Sequence, residues 1–253
     1  MSFNYIDKVI TPENLQKFLE LVDYAAGSGK DVNNVFDLSD KLHGSRPMGL
    51  CVKAIGQDPA SAAMLAERYV GPDYDVEAML KMPKGSLGWT YATILTTMGY
   101  DAKFYRTPDS FANEEDYITF RVYKTHDIHH VMTGFSLNNF GEFGVISVFG
   151  AQIRYPTFIF IDLISMLLTF FSSQNLYGEA ENPVEQARTL GYQFRLISDG
   201  IEMGLKAKPL FPVKWEELFE RPIEELRSQL NIEPVREGIY SWYSDPKLKA
   251  ALS

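Results

Sequence analysis

Cysteine is nearly missing from this chain of 253 residues, which has only Cys51. A single cysteine cannot form an internal disulfide, and it cannot build a cysteine-rich zinc site. Cys51 lies in the mostly apolar segment 49–52, where a small buried side chain is more common than a nucleophile. We therefore expect Cys51 to belong to the core.

Positive charge is also in short supply. The chain has 24 lysines and arginines against 33 aspartates and glutamates, which gives a net charge of −9. Without a basic cluster, such a chain is poorly suited to the phosphate backbone of nucleic acids, and we expect no nucleic-acid partner. The same charge weakens adsorption to anionic lipid headgroups, but it leaves binding through an apolar surface open.

Long apolar runs are lacking as well. The most apolar stretch, residues 157–171, has eleven apolar residues in fifteen and contains Asp162 near its middle. Because about 20 apolar residues are needed to span a bilayer, we expect a helix that is either buried in the core or lines a ligand cavity. The first eight residues show neither a basic nor an apolar region, so the sequence predicts no secretory signal and no mitochondrial presequence.

Helical periodicity dominates the chain, and strand signals are sparse. Apolar spacing, N-cap residues and terminating glycines predict helices over about 11–27, 58–71, 73–80, 87–98, 113–133, 138 onward, 156–171, 182–206, 215–218 and 222–230. Only residues 100–105 could form a short extended piece, and no second run pairs with it. We expect an all-α, single-domain multi-helix bundle over residues 1–253, with at most short extended segments.

The Gly-Ser-Gly-Lys sequence at residues 27–30 is similar to the end of a phosphate-binding loop. That motif needs a glycine five residues before its final glycine and a hydroxyl after its lysine. Tyr24 and Asp31 occupy those places, and the carboxylate of Asp31 would repel phosphate. We therefore predict no phosphate loop here.

Three of the four histidines lie within five residues, at His126, His129 and His130. Because a helix turns about 100° per residue, His130 lies about 40° and Asp127 about 100° from His126 around the axis. His129 falls about 60° away on the other side. The spacing predicts a pair of metal-binding imidazoles one turn apart with Asp127 beside them, and it places His129 outside the site.

A further ligand has to come from another element. Eleven residues separate His130 from Glu142, which is enough for the chain to turn after Gly134 and return as an antiparallel helix. Gly141 would permit a close backbone approach beside Glu142. Two imidazoles and up to two carboxylates suit Zn²⁺, but also Fe²⁺, Mn²⁺ or Co²⁺. Such a set can leave one coordination position open for water or substrate.

The residues alone leave a simpler interpretation open, in which the histidines are polar residues on a solvated helix face. The motif also differs from the His-Glu-x-x-His of metalloproteases. Asp127 takes the place of the glutamate, and its shorter side chain is better suited to binding or orienting than to acting as a base.

In this motif the sequence resembles the family of the fourth protein of coenzyme Q (ubiquinone) biosynthesis. The hallmark of that family is His-Asp-x-x-His, eleven residues and a glutamate, here His126, Asp127, His130 and Glu142. The resemblance covers roughly residues 70–231, and its other matching parts are residues 83–88 with Tyr91, Gly134, Asn138, Gly141, residues 208–216 and residues 222–227. The chain departs from the family just before the first histidine, where Tyr123 and Lys124 replace a basic and then an acidic residue, while Arg121 is kept.

The resemblance implies a helical fold and a divalent metal, usually zinc, held by His126, Asp127, His130 and Glu142. It implies one of two roles. The first is removal of the ring carboxylate of a polyprenylated hydroxybenzoate with hydroxylation of the same carbon. The second is a non-catalytic lipid-binding scaffold that organises quinone-biosynthesis enzymes around a structural metal. Because zinc is redox-inert, iron, manganese or cobalt would suit the first role better.

The resemblance also implies the partners and the location. The expected ligands are a polyprenyl lipid or a prenylated aromatic acid, and the expected partners are other quinone-biosynthesis proteins. The expected location is the cytoplasm, with peripheral membrane contact, or the matrix side of the inner mitochondrial membrane in a eukaryote. A homodimer is expected only because it is the commonest soluble oligomer.

Five further residues are candidates for contacting a substrate or lipid: Arg121, Tyr123, Arg154, Phe158 and Asp162. Arginines could bind a carboxylate or phosphate head group, and the tyrosine could donate a hydrogen bond near the metal. Surface ion pairs and ordinary packing are the alternatives for these side chains. A metal-dependent hydrolase of prenyl phosphates is a third possible function, but the chain lacks the basic cluster that a diphosphate usually requires.

Overall fold

Helices make up almost all the regular structure of the computed structural model, which describes residues 12–173, 176–177, 182, 185 and 188–253. This part of the chain forms twelve α-helices: α1 Pro12–Gly27, α2 Asn33–Leu42, α3 Arg46–Gly56, α4 Pro59–Glu67, α5 Val76–Met79, α6 Leu87–Met98, α7 Glu114–Thr133, α8 Asn139–Ile153, α9 Pro156–Ser172, α10 Leu190–Lys206, α11 Ile223–Leu230 and α12 Pro246–Leu252. Outside these helices and two 3-10 turns, its only β pairing is a pair of isolated bridges, Ser86–Pro222 and Phe135–Ser241. The predicted all-α class is confirmed, and residues 100–105 are irregular.

Helices α2 and α3 were missed by the sequence analysis. Ser45 caps the start of helix α3, where its side chain accepts a hydrogen bond from the Met48 amide, and the helix buries Met48, Cys51 and Ile55. Gly49 interrupts this pattern, because glycine is a poor helix former. Cys51 is fully buried as expected, and burial raises the pKa of its thiol to about 12.

Two predicted helices are shorter in the structure. The helix predicted over 58–71 ends at Glu67, because Arg68 adopts a left-handed conformation with φ of 54°. The helix predicted over 73–80 is confined to Val76–Met79. The predicted start at Thr11 lies outside the described residues, as does most of the predicted start near residue 182, and the described helix α10 begins at Leu190.

Helix α7 runs through the core and is buried on most of its sides. Its first turn is fixed by a capping box between Asn113 and Asp116, and its last turn ends at Gly134, where φ is 84°. A helix surrounded by other elements does not need a single apolar stripe. This placement brings the histidines of α7 into the interior.

Helix α8 contacts α7 and packs mainly along α10 and α9. The α8–α10 contact requires glycine, since a Cβ at Gly200 would lie 2.2 Å from the Gly144 carbonyl oxygen. On the other side of α9, α1 and α2 enclose a smaller core that includes Ala25, Leu38 and Ile164. A membrane-spanning helix is not found in the part of the chain described here, where every helix is too short or too polar to cross a bilayer.

Candidate metal centre and cavity

The candidate centre lies where the last turns of α7 meet the first turn of α8. His126 and His130 are one turn apart on α7, and their ring centroids are 4.7 Å apart. Asn138 caps α8 by accepting hydrogen bonds from the amides of Phe140 and Gly141. This cap fixes the direction in which α8 starts, so Glu142 faces both histidines.

Close approach at the α7–α8 turn depends on Gly141. A Cβ at this position would lie 2.0 Å from the Ser136 carbonyl oxygen. The side chain of any other residue would therefore push the start of α8 away from the turn. The predicted reason for a glycine beside Glu142 is confirmed.

The three donor side chains form a compact group. The distance from His126 Nε2 to Glu142 Oε2 is 3.2 Å, and the distance from His130 Nε2 to Glu142 Oε1 is also 3.2 Å. One ligand atom from each of the three residues can be chosen so that all lie within 4.8 Å of one another. Each histidine thus directs the same ring nitrogen at a different oxygen of one carboxylate.

The opposite ring nitrogens are also engaged. His126 Nδ1 lies 3.2 Å from Asp127 Oδ1, and His130 Nδ1 lies 3.3 Å from the Phe135 carbonyl oxygen. A proton on each Nδ1, donated to these oxygens, leaves the Nε2 lone pairs free for a metal. Histidine ligands in metalloproteins are commonly oriented in this way.

Asp127 therefore takes an orienting position in this structure. The compact donor group contains His126, His130 and Glu142, and Asp127 contacts His126 from the side. Direct coordination by Asp127 stays a prediction. His129 lies outside the group, as the helical spacing predicts, and packs against Phe149 and Trp215.

The donor atoms of His126, His130 and Glu142 are of the types that bind a divalent metal. His130 Nε2 is buried and has no properly directed hydrogen bond among the described residues, although a carboxylate oxygen lies 3.2 Å away. A buried polar atom without a partner is costly. A cation between the imidazoles and the carboxylate would satisfy all three groups, and two imidazoles with one carboxylate are a set that Zn²⁺ or Fe²⁺ accepts.

The mutual attraction of His126 and Glu142 shifts the pKa values of these two groups in opposite directions. Burial opposes the charged forms, but the carboxylates of Glu142 and Asp127 outweigh it and raise the pKa of His126 to about 10. In the same way, burial opposes ionisation of Glu142, but His130 and His126 hold its pKa below its usual range. The carboxylate thus favours positive charge beside it, which is the charge that a metal cation would supply.

The candidate centre opens into a cavity of about 550 Å³. His126 and Glu142 line one wall, and Glu142 is the most exposed of the three donors at 37% of its side chain. Most of the remaining lining is apolar, including Ala25, Ala26, Val32, Val35, Phe104, Leu137, Phe143, Ile146, Phe158, Ile161 and Leu168. The arrangement places a polar, cation-binding end beside a space suited to an apolar chain.

Two of the predicted substrate residues, Tyr123 and Phe158, line this cavity. The Tyr123 hydroxyl is already tied to Ser39 and lies 3.5 Å from the Tyr155 hydroxyl, so the ring rather than the hydroxyl faces the space. Burial raises the pKa of Tyr123 well above its ordinary value. A packing role fits this geometry better than proton donation.

The other three predicted substrate residues do not line the cavity. Arg121 is buried in an ion pair with Glu216 at 2.6 Å, and Arg154 is exposed at the end of α8. Asp162 is buried and accepts a hydrogen bond from the Ser147 hydroxyl at 2.9 Å. A substrate role for these three residues gains no support from their positions.

Lys30 also lines the cavity and is the one lysine or arginine among the described residues of its lining. The sequence analysis did not predict Lys30 as a site residue. It belongs to the glycine-lysine segment that fails the phosphate-loop pattern. Its neighbour Gly29 lies beside α8, where a Cβ would be 3.6 Å from Asn139 Nδ2. The signal was present in the sequence, but no local rule predicts that the α1–α2 turn reaches the start of α8.

Together, the fold and the site define a helical protein with a His₂Glu donor cluster at one end of a mainly apolar cavity. Comparison with known proteins supports the resemblance noted from the motifs. A family model described as "Coenzyme Q (ubiquinone) biosynthesis protein Coq4" matches residues 41–236. The chain belongs to this family.

Several relatives show how far the similarity extends. The mitochondrial ubiquinone biosynthesis protein COQ4 of Zygosaccharomyces rouxii is 30% identical over 162 residues, which cover 63% of this chain and 44% of that protein. A COQ4 homologue of Aedes aegypti, also named mitochondrial, is 27% identical over 64% of this chain and 54% of its own length. The chain thus spans about half the length of these relatives.

A solved structure shows the same architecture. The crystal structure of a candidate ubiquinone biosynthesis protein from Nostoc punctiforme superposes with a TM-score of 0.70 at 25% sequence identity. The match covers 87% of this chain and 98% of that one. The helical fold is therefore shared over nearly the whole of both proteins.

Proposed function

We propose that this protein is a metal-dependent enzyme of ubiquinone or related prenylquinone biosynthesis that acts on the ring of a polyprenylated hydroxybenzoate. The observation that carries the proposal is the position of the His126–His130–Glu142 cluster on the wall of an apolar cavity. The Coq4 family membership supports the pathway. The metal itself, the lipid and the chemistry are parts of the proposal.

A three-residue donor set favours catalysis over a purely structural metal. Structural zinc sites usually have four protein ligands, whereas catalytic sites keep a position open. In this chain Asp127 contacts His126 Nδ1 instead of completing the set. A divalent metal bound here would stabilise negative charge on a substrate oxygen, and iron, manganese or cobalt would also permit redox chemistry.

The residues of the chain would then position the substrate. Tyr123, Phe158 and Leu168 offer apolar surface to a prenyl tail, and Lys30 offers a cation to a carboxylate or phenolate. Loss of the ring carboxylate as CO₂ with hydroxylation of the same carbon is a two-electron oxidation, so the reaction requires an external oxidant such as O₂.

Turnover tests this proposal directly. We expect protein loaded with Fe²⁺, Mn²⁺ or Co²⁺ to release labelled CO₂ from a carboxyl-labelled polyprenyl hydroxybenzoate, and Glu142→Gln to abolish release. His129→Leu is the matched control, because His129 lies next to the donors but outside the cluster. Retained lipid binding without turnover under any metal would favour the scaffold alternative. Phosphate release from a prenyl phosphate would favour the hydrolase.

We also propose that the outer face of α9 contacts a membrane. This face, the α9 stripe, carries five exposed apolar side chains at helical spacing: Ile159, Leu163, Leu167, Phe170 and Phe171. Leu168, beside Leu167 of the stripe, is 42% exposed and also lines the cavity, so it connects the stripe to the cavity. A lipid tail could pass from a bilayer into the cavity at that point.

Vesicle binding tests the membrane contact. We expect the protein to float with vesicles of phosphatidylcholine, which is zwitterionic and has no net charge, because apolar contact and not charge drives the binding of a protein with net charge −9. Leu163→Glu should reduce the bound fraction severalfold. Leu50→Glu is the control, since Leu50 is similarly exposed but lies on α3 and not on α9. Equal loss in both variants, or no loss in either, would contradict the assignment. Native mass spectrometry of the same samples would report whether the chain forms the expected homodimer.

A further inference from the structure

The segment of residues 240–242 is bound to the turn between α7 and α8. The Trp242 amide donates to the Gly134 carbonyl at 3.1 Å, and the Ser136 amide donates to the Tyr240 carbonyl at 2.7 Å. These two hydrogen bonds lie on either side of Phe135. They form the isolated bridge between Phe135 and Ser241.

Phe135 supplies the carbonyl that orients His130. Its oxygen lies 3.3 Å from His130 Nδ1, and it is the contact that leaves Nε2 aimed at Glu142. Because residues 134 and 136 are both held by the 240–242 segment, the Phe135 carbonyl cannot rotate without breaking one of those bonds. The orientation of His130 thus depends on a distant part of the chain.

Trp242 also contacts His130 directly. Its indole N–H donates to the His130 carbonyl oxygen at 3.2 Å, an oxygen that already accepts a hydrogen bond from the Gly134 amide. Trp242 is buried, with 3% of its surface exposed. The indole therefore fixes the backbone of the residue whose side chain belongs to the donor cluster.

The neighbouring carbonyls at the end of α7 are held in the same way. Arg227 donates to the carbonyls of Val131 at 2.7 Å and Met132 at 2.9 Å, and the Val235 amide donates to Thr133 at 2.8 Å. Carbonyls at a helix C-terminus have no partners within the helix. Here each carbonyl from 130 to 134 accepts a hydrogen bond from residue 227, 235 or 242.

We propose that the C-terminal clasp, defined as Arg227, Val235 and residues 240–242, is a positioning device that sets the metal affinity of the His126–His130–Glu142 cluster. The inference rests on the proposed metal site. Residues 240–242 lie beyond the part of the chain matched by the family model, which ends at residue 236. Trp242 is the positioning residue through which the clasp reaches His130.

Metal affinity measured by chelator competition tests the clasp. Substitutions of groups that orient metal ligands commonly reduce affinity by about 10–100-fold, so we expect Trp242→Phe to weaken Zn²⁺ and Mn²⁺ binding by about tenfold. Trp89→Phe, at a tryptophan on α6 that is not part of the clasp, should leave affinity unchanged. Ile55→Val, a small deletion in the core, controls for general loss of stability.

Amide hydrogen exchange in the wild-type protein provides a second test that needs no variant. If metal binding and the clasp are coupled, the coupling is reciprocal. Addition of Zn²⁺ should then slow exchange at the amides of Val235, Ser136 and Trp242, and it should leave the Thr90 amide on α6 unchanged. The inference would be overturned if Trp242→Phe bound metal as tightly as the wild-type protein and if Zn²⁺ left amide exchange in the clasp unchanged. That result would leave the proposed metal site intact. Absence of metal binding by the wild-type protein would instead contradict the proposed function.

Discussion

Helix α7 contributes side chains to two clusters of titratable groups, which differ in how those groups are paired. In the first, Arg121 and Lys124 lie around Glu216 at 2.6 and 3.5 Å, and all three side chains are almost completely buried. In the second, His126 and His130 share the carboxylate of Glu142, which is 37% exposed. We refer to them as the closed cluster and the donor cluster.

The closed cluster satisfies its charges within the protein. Lys124 donates to the carbonyl oxygens of Val70 at 2.6 Å and Pro72 at 2.8 Å, and Arg121 donates to the Val213 carbonyl at 2.6 Å. These contacts fasten two distant segments to α7. In contrast, the donor cluster leaves His130 Nε2 without a directed hydrogen bond among the described residues and opens to a cavity. A buried charged group that is paired with an opposite charge and with backbone carbonyls is structural, whereas a polar group that lacks a directed partner beside a cavity is suited to binding.

The largest expected effect on stability comes from breaking the closed cluster. Glu216→Ala leaves two buried cations without their carboxylate, and removal of one partner of a buried ion pair typically costs about 3–5 kcal/mol. We expect a loss of that size in the free energy of unfolding, measured by urea denaturation. Glu220→Ala, at a nearby exposed glutamate, should change it little. A similarly small change for Glu216→Ala would show that this cluster is not structural.

A smaller loss is expected when the geometry of the donor cluster is altered without removing a donor. Gly141→Ala would place a methyl group 2.0 Å from the Ser136 carbonyl, and overpacking of this kind typically costs about 1–3 kcal/mol. Because the start of α8 must move, we also expect metal binding to weaken. Gly49→Ala on α3 has open space around its Cβ position and should be neutral or stabilising. Unchanged metal affinity in Gly141→Ala would contradict the role of this close approach.

The smallest effect concerns Asp162, a buried carboxyl on α9 with one oxygen bonded to Ser147 and the other without a hydrogen-bond partner among the described residues. Burial raises the pKa of Asp162 well above its ordinary value. The folded state therefore holds the proton more tightly than the unfolded state, and this group lowers stability as pH rises from about 4, the usual aspartate pKa, towards the folded value. The Asp162→Asn variant has no titrating carboxyl at this position. The free energy of unfolding of the variant, relative to that of the wild-type protein, should therefore increase with pH by at most about 1.4 kcal/mol per pH unit. Urea denaturation of both proteins at several pH values, with a chelator present to remove metal, checks this prediction. A difference in the free energy of unfolding that does not change with pH would contradict it.

The same comparison shows which contacts a sequence can predict. His126, His130 and Glu142 are linked by one helical turn and one tight helix–helix connection, so their spacing predicts their meeting. Helical periodicity also predicts that Tyr123 lies on the same side of its helix as the histidines, and it lines the cavity. The candidacy of Phe158, which also lines the cavity, depends on the family resemblance and not on periodicity alone.

Contacts between distant segments were not predictable in this way. Glu216 lies 95 residues from Arg121, and Trp242 lies 112 residues from His130. Arg121 was therefore considered a substrate contact, although its partner is Glu216. Helices α2 and α3 were missed because glycine and polar residues weaken their patterns, and the position of Lys30 follows only from how α1 and α2 pack against α9.

Equilibrium dialysis against Zn²⁺ and Mn²⁺ tests most directly whether the donor cluster is a metal site. We expect the wild-type protein to retain one metal ion per chain after thorough washing. His130→Ala should retain none, while His129→Leu, at the adjacent buried histidine outside the cluster, should retain one. Folding of each variant is checked by circular dichroism. Equal metal content in the two variants, or no metal in the wild-type protein, would contradict the account.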